Sequence, residues 1–427
     1  MPELTHRRKL SDPNHAPCVP VRGQRLMHID TLRGLLLTLM AVNHIPSDLR
    51  VVTDHPFGYM SAAEGFVFMA GLMAAYVYTR AWKRGDFSSL REACHQRAAT
   101  IYRSHVAIYL VVLAGLLAAA FGFGEFPTNT PQGFLDHPIF SIFAGVLLVQ
   151  QPTLFDILPL YCVLLVVTPW LLRLCEEGRY AGLVFGSLSL WGVANIFSPQ
   201  QPFDNGLVNT GAFNLAAWQI MYVGGLAFGH RWATRKALET CCTSADYLLP
   251  RPRIRVLVAL GAAAAVLFCV RHGFLPSGFS SDSLAVLTNK NNLAPLRLLN
   301  TALVLYLGYL VVSRFPQCFS WRPFAMIGRA SLAVFSVHVL TAYVIQAIPF
   351  FAASVGGRWL GTTLMLSAIT LTAFTQFRFF TRKPAAPARS TLPPPPLKTR
   401  QLRVHRPMVR HEPRSPLATD PLHRRSR

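Results

Sequence analysis

Along the chain, long apolar runs alternate with short polar stretches, and the runs come close to the ~20 residues that an α-helix needs to cross a bilayer. Eleven stand out: residues 29–46, 57–79, 104–122, 137–150, 154–174, 180–197, 214–231, 254–271, 296–314, 327–348 and 358–378. The pattern predicts an all-α, polytopic integral membrane protein. The run 137–150, HPIFSIFAGVLLVQ, is the shortest and is followed at once by QPT. Within the runs sit polar groups that lipid would not tolerate, among them Arg33, His44, Glu64 and His338.

Charge orients the runs. Lys and Arg mark cytoplasmic loops, and residues 80–103 and 231–255 hold six each and 314–329 three, whereas 121–137 and 198–213 hold none. If the basic stretches share a side, an even number of spans separates 103 from 231, yet five runs lie between them. The short run 137–150 is therefore expected to be re-entrant or interfacial on the outer side. About ten transmembrane helices remain, with both termini cytoplasmic. The first run follows a basic stretch as a secretory signal would, but Arg33 interrupts it and no small-residue cleavage site follows, so it reads as an anchor.

Composition agrees: of 427 residues 52% are hydrophobic and only 14% charged, which excludes an ordinary soluble globule. The formal net charge is +22. Residues 381–427 carry twelve Lys/Arg against two acids and are Pro-rich, so a disordered cytoplasmic tail is expected, as is a basic cytoplasmic segment at 1–25. The tail's basicity fits anionic lipid more simply than nucleic acid, and a tail with no specific partner is simpler still. No nucleic-acid partner is expected. The eight cysteines fall in runs or in loops assigned to the cytoplasm, so no disulfide is expected; Cys241 and Cys242 lack zinc-site spacing, and no metal is expected. Gly225 and Gly229 form a GxxxG, read as helix packing.

Candidate chemistry begins in the first run. Arg33 and His44 are eleven positions apart, about three turns and ~16 Å along one helical face, with Asp30 in the same sector. Such a face belongs in a bundle interior or a wet cavity. Arg33 and Asp30 also fit a charge pair at the membrane interface. His44 is either a general base for a hydroxyl or a local hydrogen-bonding group. Glu64 lies at a similar depth, where it is expected to orient the His44 imidazole or to make a structural helix contact. Asp156 could bind a polyol or cap a helix. Lys290 and Arg297 stand at the outer entrance of a later run, as contacts for a sugar-rich or anionic acceptor or as a solvated rim. Ser331 and His338, seven apart, share a face; His338 is a core histidine or a second base. Tyr102, Arg103 and His105 are candidates to cradle a phosphate-bearing donor.

Taken together, IDTLRGLLLTLMAVNHIP, with an Arg, ten residues and a His, resembles the first helix of the membrane-bound acyltransferases that modify cell-surface sugars. The further stretches SAAEGFVFMAGLMAAYVYTR, QPTLFDILPLYCVLLVVTPWLL, FNLAAWQIMYVGGL, LAPLRLLN and GRASLAVFSVH resemble the OpgC branch, succinyltransferases of osmoregulated periplasmic glucans, over residues 25–378. The tail and details such as Gly65 and Ala70 depart from it. The resemblance implies a transmembrane acyltransferase domain at 26–380 in the bacterial inner membrane, moving an acyl group from cytoplasmic acyl-CoA to a periplasmic glucan. No bound cofactor is expected; succinyl-CoA or acetyl-CoA is the donor substrate, and a glucan or another envelope glycan the acceptor. His44 would be the base, Arg33 and Arg103 would meet the donor, and Asn43 would donate to the oxyanion. The rival class is a transporter or flippase with a polar translocation path; acetylation of another cell-surface glycan is the nearer alternative.

Overall fold

A computed structural model describes residues 26–382 apart from 84, 124–136, 150, 198–210, 212, 239–248, 250–251 and 275–283. The expectations for residues 1–25 and for the tail beyond 382 lie outside the described residues. Among the described residues the only extended pairing is an isolated bridge between Phe57 and Met60. The main helices are α1 (Met27–Asn43), α2 (Ala62–Trp82), α3 (Phe87–Phe123), α4 (Pro138–Val146), α5 (Ile157–Glu176), α6 (Tyr180–Phe197), α7 (Leu215–Leu238), α8 (Ile254–Arg271), α9 (Pro295–Arg314), α10 (Arg322–Arg329), α11 (Ser331–Ala347) and α12 (Val355–Arg382). All-α organisation and a polytopic membrane protein both follow.

Among the described residues seven helices, α2, α3, α5, α6, α8, α9 and α12, are long and apolar enough to cross a bilayer. α1 and α11 have 17 residues each, and α7 carries His230, Arg231 and Arg235 in its second half. At nine residues, α4 is only ~14 Å long, less than half the ~30 Å hydrocarbon core. It cannot cross, and its side-chain anchors explain its course. The hydroxyls of Tyr102 and Tyr109 donate to the carbonyls of Val146 (3.0 Å) and Ser141 (2.6 Å), and His105 Nε2 donates to that of Gly145 (3.3 Å). α4 thus runs antiparallel to the middle of α3, and α5 follows from Ile157. Tyr102 and His105 anchor a helix here.

The run 327–348 was expected to be one span, but the chain bends by 88° between α10 and α11. The bend lets Arg329 Nε reach Asp30 Oδ2 at 3.2 Å and lays α10 tightly across α1. A side chain at Gly34 or Gly328 would collide with the carbonyl of Phe324 or Asp30. The GxxxG reading holds in the same way: a Cβ at Gly225 or Gly229 would run into the carbonyls of Phe68 and Leu72 on α2. Leu37, Ala41, Leu165, Leu172, Trp218, Tyr222 and Leu226 fill the interior, while Phe185, Val258 and Leu371 face outward. An apolar exterior over a buried interior suits lipid.

Candidate active site

The α1 helix ends at Asn43, and His44 caps it with non-helical backbone. Its Nδ1 lies 2.8 Å from Nε2 of His338, and the two rings stack with centroids 5.0 Å apart. His338 is fully buried, and its Nδ1 stands 3.2 Å from the carbonyl oxygen of Phe335 one turn earlier on α11. A carbonyl only accepts, so His338 Nδ1 carries the hydrogen. In the neutral ring Nε2 is then the acceptor, and His44 Nδ1 must donate to it. That leaves His44 Nε2 as a bare lone pair: the atom that can take a proton, in a ring held in tautomer and orientation by its neighbour. Gln346 Nε2 fixes the same residue by donating to the His44 carbonyl at 2.6 Å. The charges of Lys290 and Arg50 act on His44.

Three turns down α1, Arg33 Nη2 donates to Ser331 Oγ at 2.7 Å, while its Nη1 stands 3.7 Å from Asp30 Oδ1. Ser331 and His338 lie on one face of α11, so α1 and α11 are joined at both levels, by Arg33 to Ser331 and by His44 to His338. Tyr161 of α5 and Arg97 of α3 lie within electrostatic range of the Arg33 guanidinium, without a hydrogen bond to it. Arg97 is half-buried beside Ala98, whose carbonyl accepts the Cys162 thiol at 3.6 Å. It makes no hydrogen bond or ion pair among the described residues.

A separate polar cluster ties α2 to α9. Arg297 Nε donates to Glu64 Oε1 at 2.6 Å, and Glu64 Oε2 accepts from the Ser61 backbone at 2.9 Å and from the Ser61 hydroxyl, closing a capping box. Arg297 Nη2 donates to His55 Nε2 at 2.9 Å, and His55 Nδ1 donates to Asp54 Oδ1 at 2.8 Å. That bond holds the Asp54 carboxyl below its usual range despite partial burial.

The model of one protein family, described as OpgC protein, matches residues 25–379. The chain belongs to the OpgC family. This OpgC protein thus belongs to a family of acyltransferases acting on glucans. No curated protein and no solved structure matches the chain.

Set against the sequence expectations, the OpgC chain brings His44 and His338 into contact and keeps Arg33 on the same face. Glu64 does not orient His44: both its oxygens are taken by Arg297 and Ser61, and His338 holds the imidazole instead. Arg297 is no solvated rim cation, being 4% exposed and paired. Lys290 is half-buried, with its ammonium 5.7 Å from the centre of the Phe213 ring. Asn43 is tied to the following loop: its amide nitrogen donates to the Thr53 carbonyl (3.0 Å) and its amide oxygen accepts from the Thr53 hydroxyl (2.5 Å). Arg103 is exposed and reaches only the Ala99 carbonyl of its own helix; the arginine beside Arg33 is Arg97. Asp156 directly precedes α5, next to Gly211, without a side-chain cap bond. Residues missed from sequence are Arg97 and Gln346. Arg97 carried a signal, being six positions, within two turns, from Arg103. Gln346 carried none beyond lying eight positions past His338. No group of three His, Cys, Asp or Glu among the described residues could hold a metal; Cys94, Cys162, Cys175, Cys269 and Cys318 are free thiols, and Cys18, Cys241 and Cys242 lie outside the described residues.

Proposed function

We propose that the protein transfers a succinyl group from succinyl-CoA, on the cytoplasmic side of the bacterial inner membrane, to a hydroxyl of a periplasmic glucan. The observation that carries this reading is the His44–His338 pair with its bare Nε2 on the face that also holds Arg33. The glucan hydroxyl gives its proton to His44 Nε2 as its oxygen attacks the thioester carbonyl. The oxyanion that forms lies in the field of Lys290 and Arg50, both cationic and both acting on His44. The C–S bond then breaks, the ester is complete, and the proton passes from His44 to the departing CoA thiolate. No enzyme-bound acyl group is required.

Arg33 and Arg97 supply positive charge for the donor. Eleven helical positions, ~16 Å, separate Arg33 from His44, a span suited to the long pantetheine arm between a thioester and its phosphates. The carboxylate of a four-carbon acyl group lies much nearer its own thioester. The two arginines therefore fit the phosphates of the donor. With this orientation both termini are cytoplasmic, and His44 lies toward the periplasmic end of α1.

The test is release of free CoA by the purified protein in liposomes, with a glucose oligosaccharide as acceptor. Wild-type protein should release CoA and form ester with succinyl-CoA in preference to acetyl-CoA; the reverse preference would reassign the acyl group. His44→Ala should insert normally and lose at least ~10²-fold in turnover, the scale of a lost general base. A well-inserted His44→Ala protein with near-normal turnover would overturn the mechanism.

A further inference from the structure

The turn from α4 into α5, described at residues 147–149 and 151–156, has features that the mechanism above does not use. Gln151 is 3% exposed, and neither its amide nitrogen nor its amide oxygen has a hydrogen-bond partner. Buried side-chain amides are nearly always paired, because an unmet donor or acceptor keeps its full desolvation penalty. The segment around it is also strained: Leu148 and Leu154 sit at φ +63° and +75°, where bulky side chains are rare and where functional segments concentrate.

The position of this strap gives the unmet amide a meaning. The Tyr343 hydroxyl donates to the Thr153 carbonyl at 2.9 Å, and the Tyr343 ring meets Phe155 at 6.0 Å. Tyr343 is five residues beyond His338 on α11, and Gln346, three further, holds the His44 carbonyl. Thr153 and Phe155, two and four residues past Gln151, thus pack on the part of α11 that runs from the histidine pair away from Arg33. Donor charge is concentrated on the Arg33 side, so the acceptor must reach His44 from the strap side.

We propose that Gln151 is an acceptor-binding residue for this reaction, its amide oxygen accepting from one hydroxyl of a glycosyl unit and its amide nitrogen donating to the oxygen of a neighbouring one. The inference rests on the acyl-transfer reading of the histidine pair. A neutral amide with one unmet acceptor and two unmet donors matches a sugar diol; an anion would call for a cation and an acyl chain for an apolar lining. Because the amide is buried, the strap shifts to admit the sugar, and the bonds lost at the strap are replaced by bonds to hydroxyls.

Gln151→Leu is close in size and removes only the unpaired polar atoms, so the fold should survive it. In full-length protein in liposomes, the KM for a glucose oligosaccharide should rise on the order of tenfold, the scale of one or two hydrogen bonds lost to a ligand, while the KM for succinyl-CoA stays unchanged. Gln151→Met serves as a second apolar variant. An unchanged acceptor KM in a well-inserted Gln151→Leu or Gln151→Met protein overturns the proposal. So does loss of inserted protein in both, since a ligand-binding amide is dispensable to the fold. Equilibrium binding of the same oligosaccharide without donor separates the two readings: weaker binding to Gln151→Leu than to wild type supports the acceptor site even if no CoA is ever released, and equal binding overturns it.

Discussion

At His44, the tautomer is decided by a carbonyl two hydrogen bonds away. Phe335 accepts from His338 Nδ1, which makes His338 Nε2 an acceptor and leaves His44 with its proton on Nδ1 and a lone pair on Nε2. On the proposed mechanism His338 is a positioning residue and Glu64 a structural one, and two substitutions tell them apart. His338→Leu should keep the inserted protein near wild-type amount, lower turnover, and change the acid limb of the pH–rate profile, where His44 becomes protonated and the base is lost. Glu64→Gln leaves the Arg297 guanidinium buried without its counter-charge, a loss of about 3–5 kcal/mol. It should therefore reduce inserted protein and thermal stability while turnover per inserted molecule and the pH profile change little. An altered pH profile in Glu64→Gln would restore the carboxylate to the chemistry.

Helix crossings set these residues in place, and small side chains make the crossings possible. α2 and α7 meet backbone to backbone at Gly225 and Gly229, and α1 and α10 do so at Gly34 and Gly328. Gly115 on α3, by contrast, has open space where a Cβ would stand. Overpacking costs about 1–3 kcal/mol when neighbours can shift, and here the obstacle is main chain that cannot. Gly225→Leu should thus lose at least that much stability, read as a lower melting temperature in detergent, and Gly115→Leu should be near neutral. Equal melting temperatures for the two would show that the α2–α7 crossing is looser than described. The bend between α10 and α11 belongs to the same logic, since it brings Arg329 to Asp30 and Ser331 to Arg33.

For the whole molecule, the short α4 alters the count of crossings and hence the side on which each loop lies. Reporter fusions after residues 103, 131, 240 and 390 should read inside, outside, inside and inside. An external reading at 240 would require α4 to take part in a crossing that its nine residues are too short to make alone. On the proposed mechanism the arrangement separates donor charge at Arg33 and Arg97 from the histidine pair, with Thr153 and Phe155 packed beyond it.

Membrane insertion, the helical runs and the odd length of 137–150 were legible in the sequence, because the bilayer demands ~20 apolar residues per crossing and satisfied backbone groups throughout. The pairing of Arg33 with His44 was legible too, since both lie on one helix and 3.6 residues per turn fixes their common face. Which distant residue each would meet was not. Glu64 had two possible partners at similar depth, His44 and Arg297, and only the crossing of α2 with α9 gave it to Arg297. His338 lay 294 residues from His44, and only the packing of α11 against α1 made it the partner. Depth in the membrane is written in one dimension along the chain; azimuth around each helix and the identity of its neighbours are settled by tertiary packing.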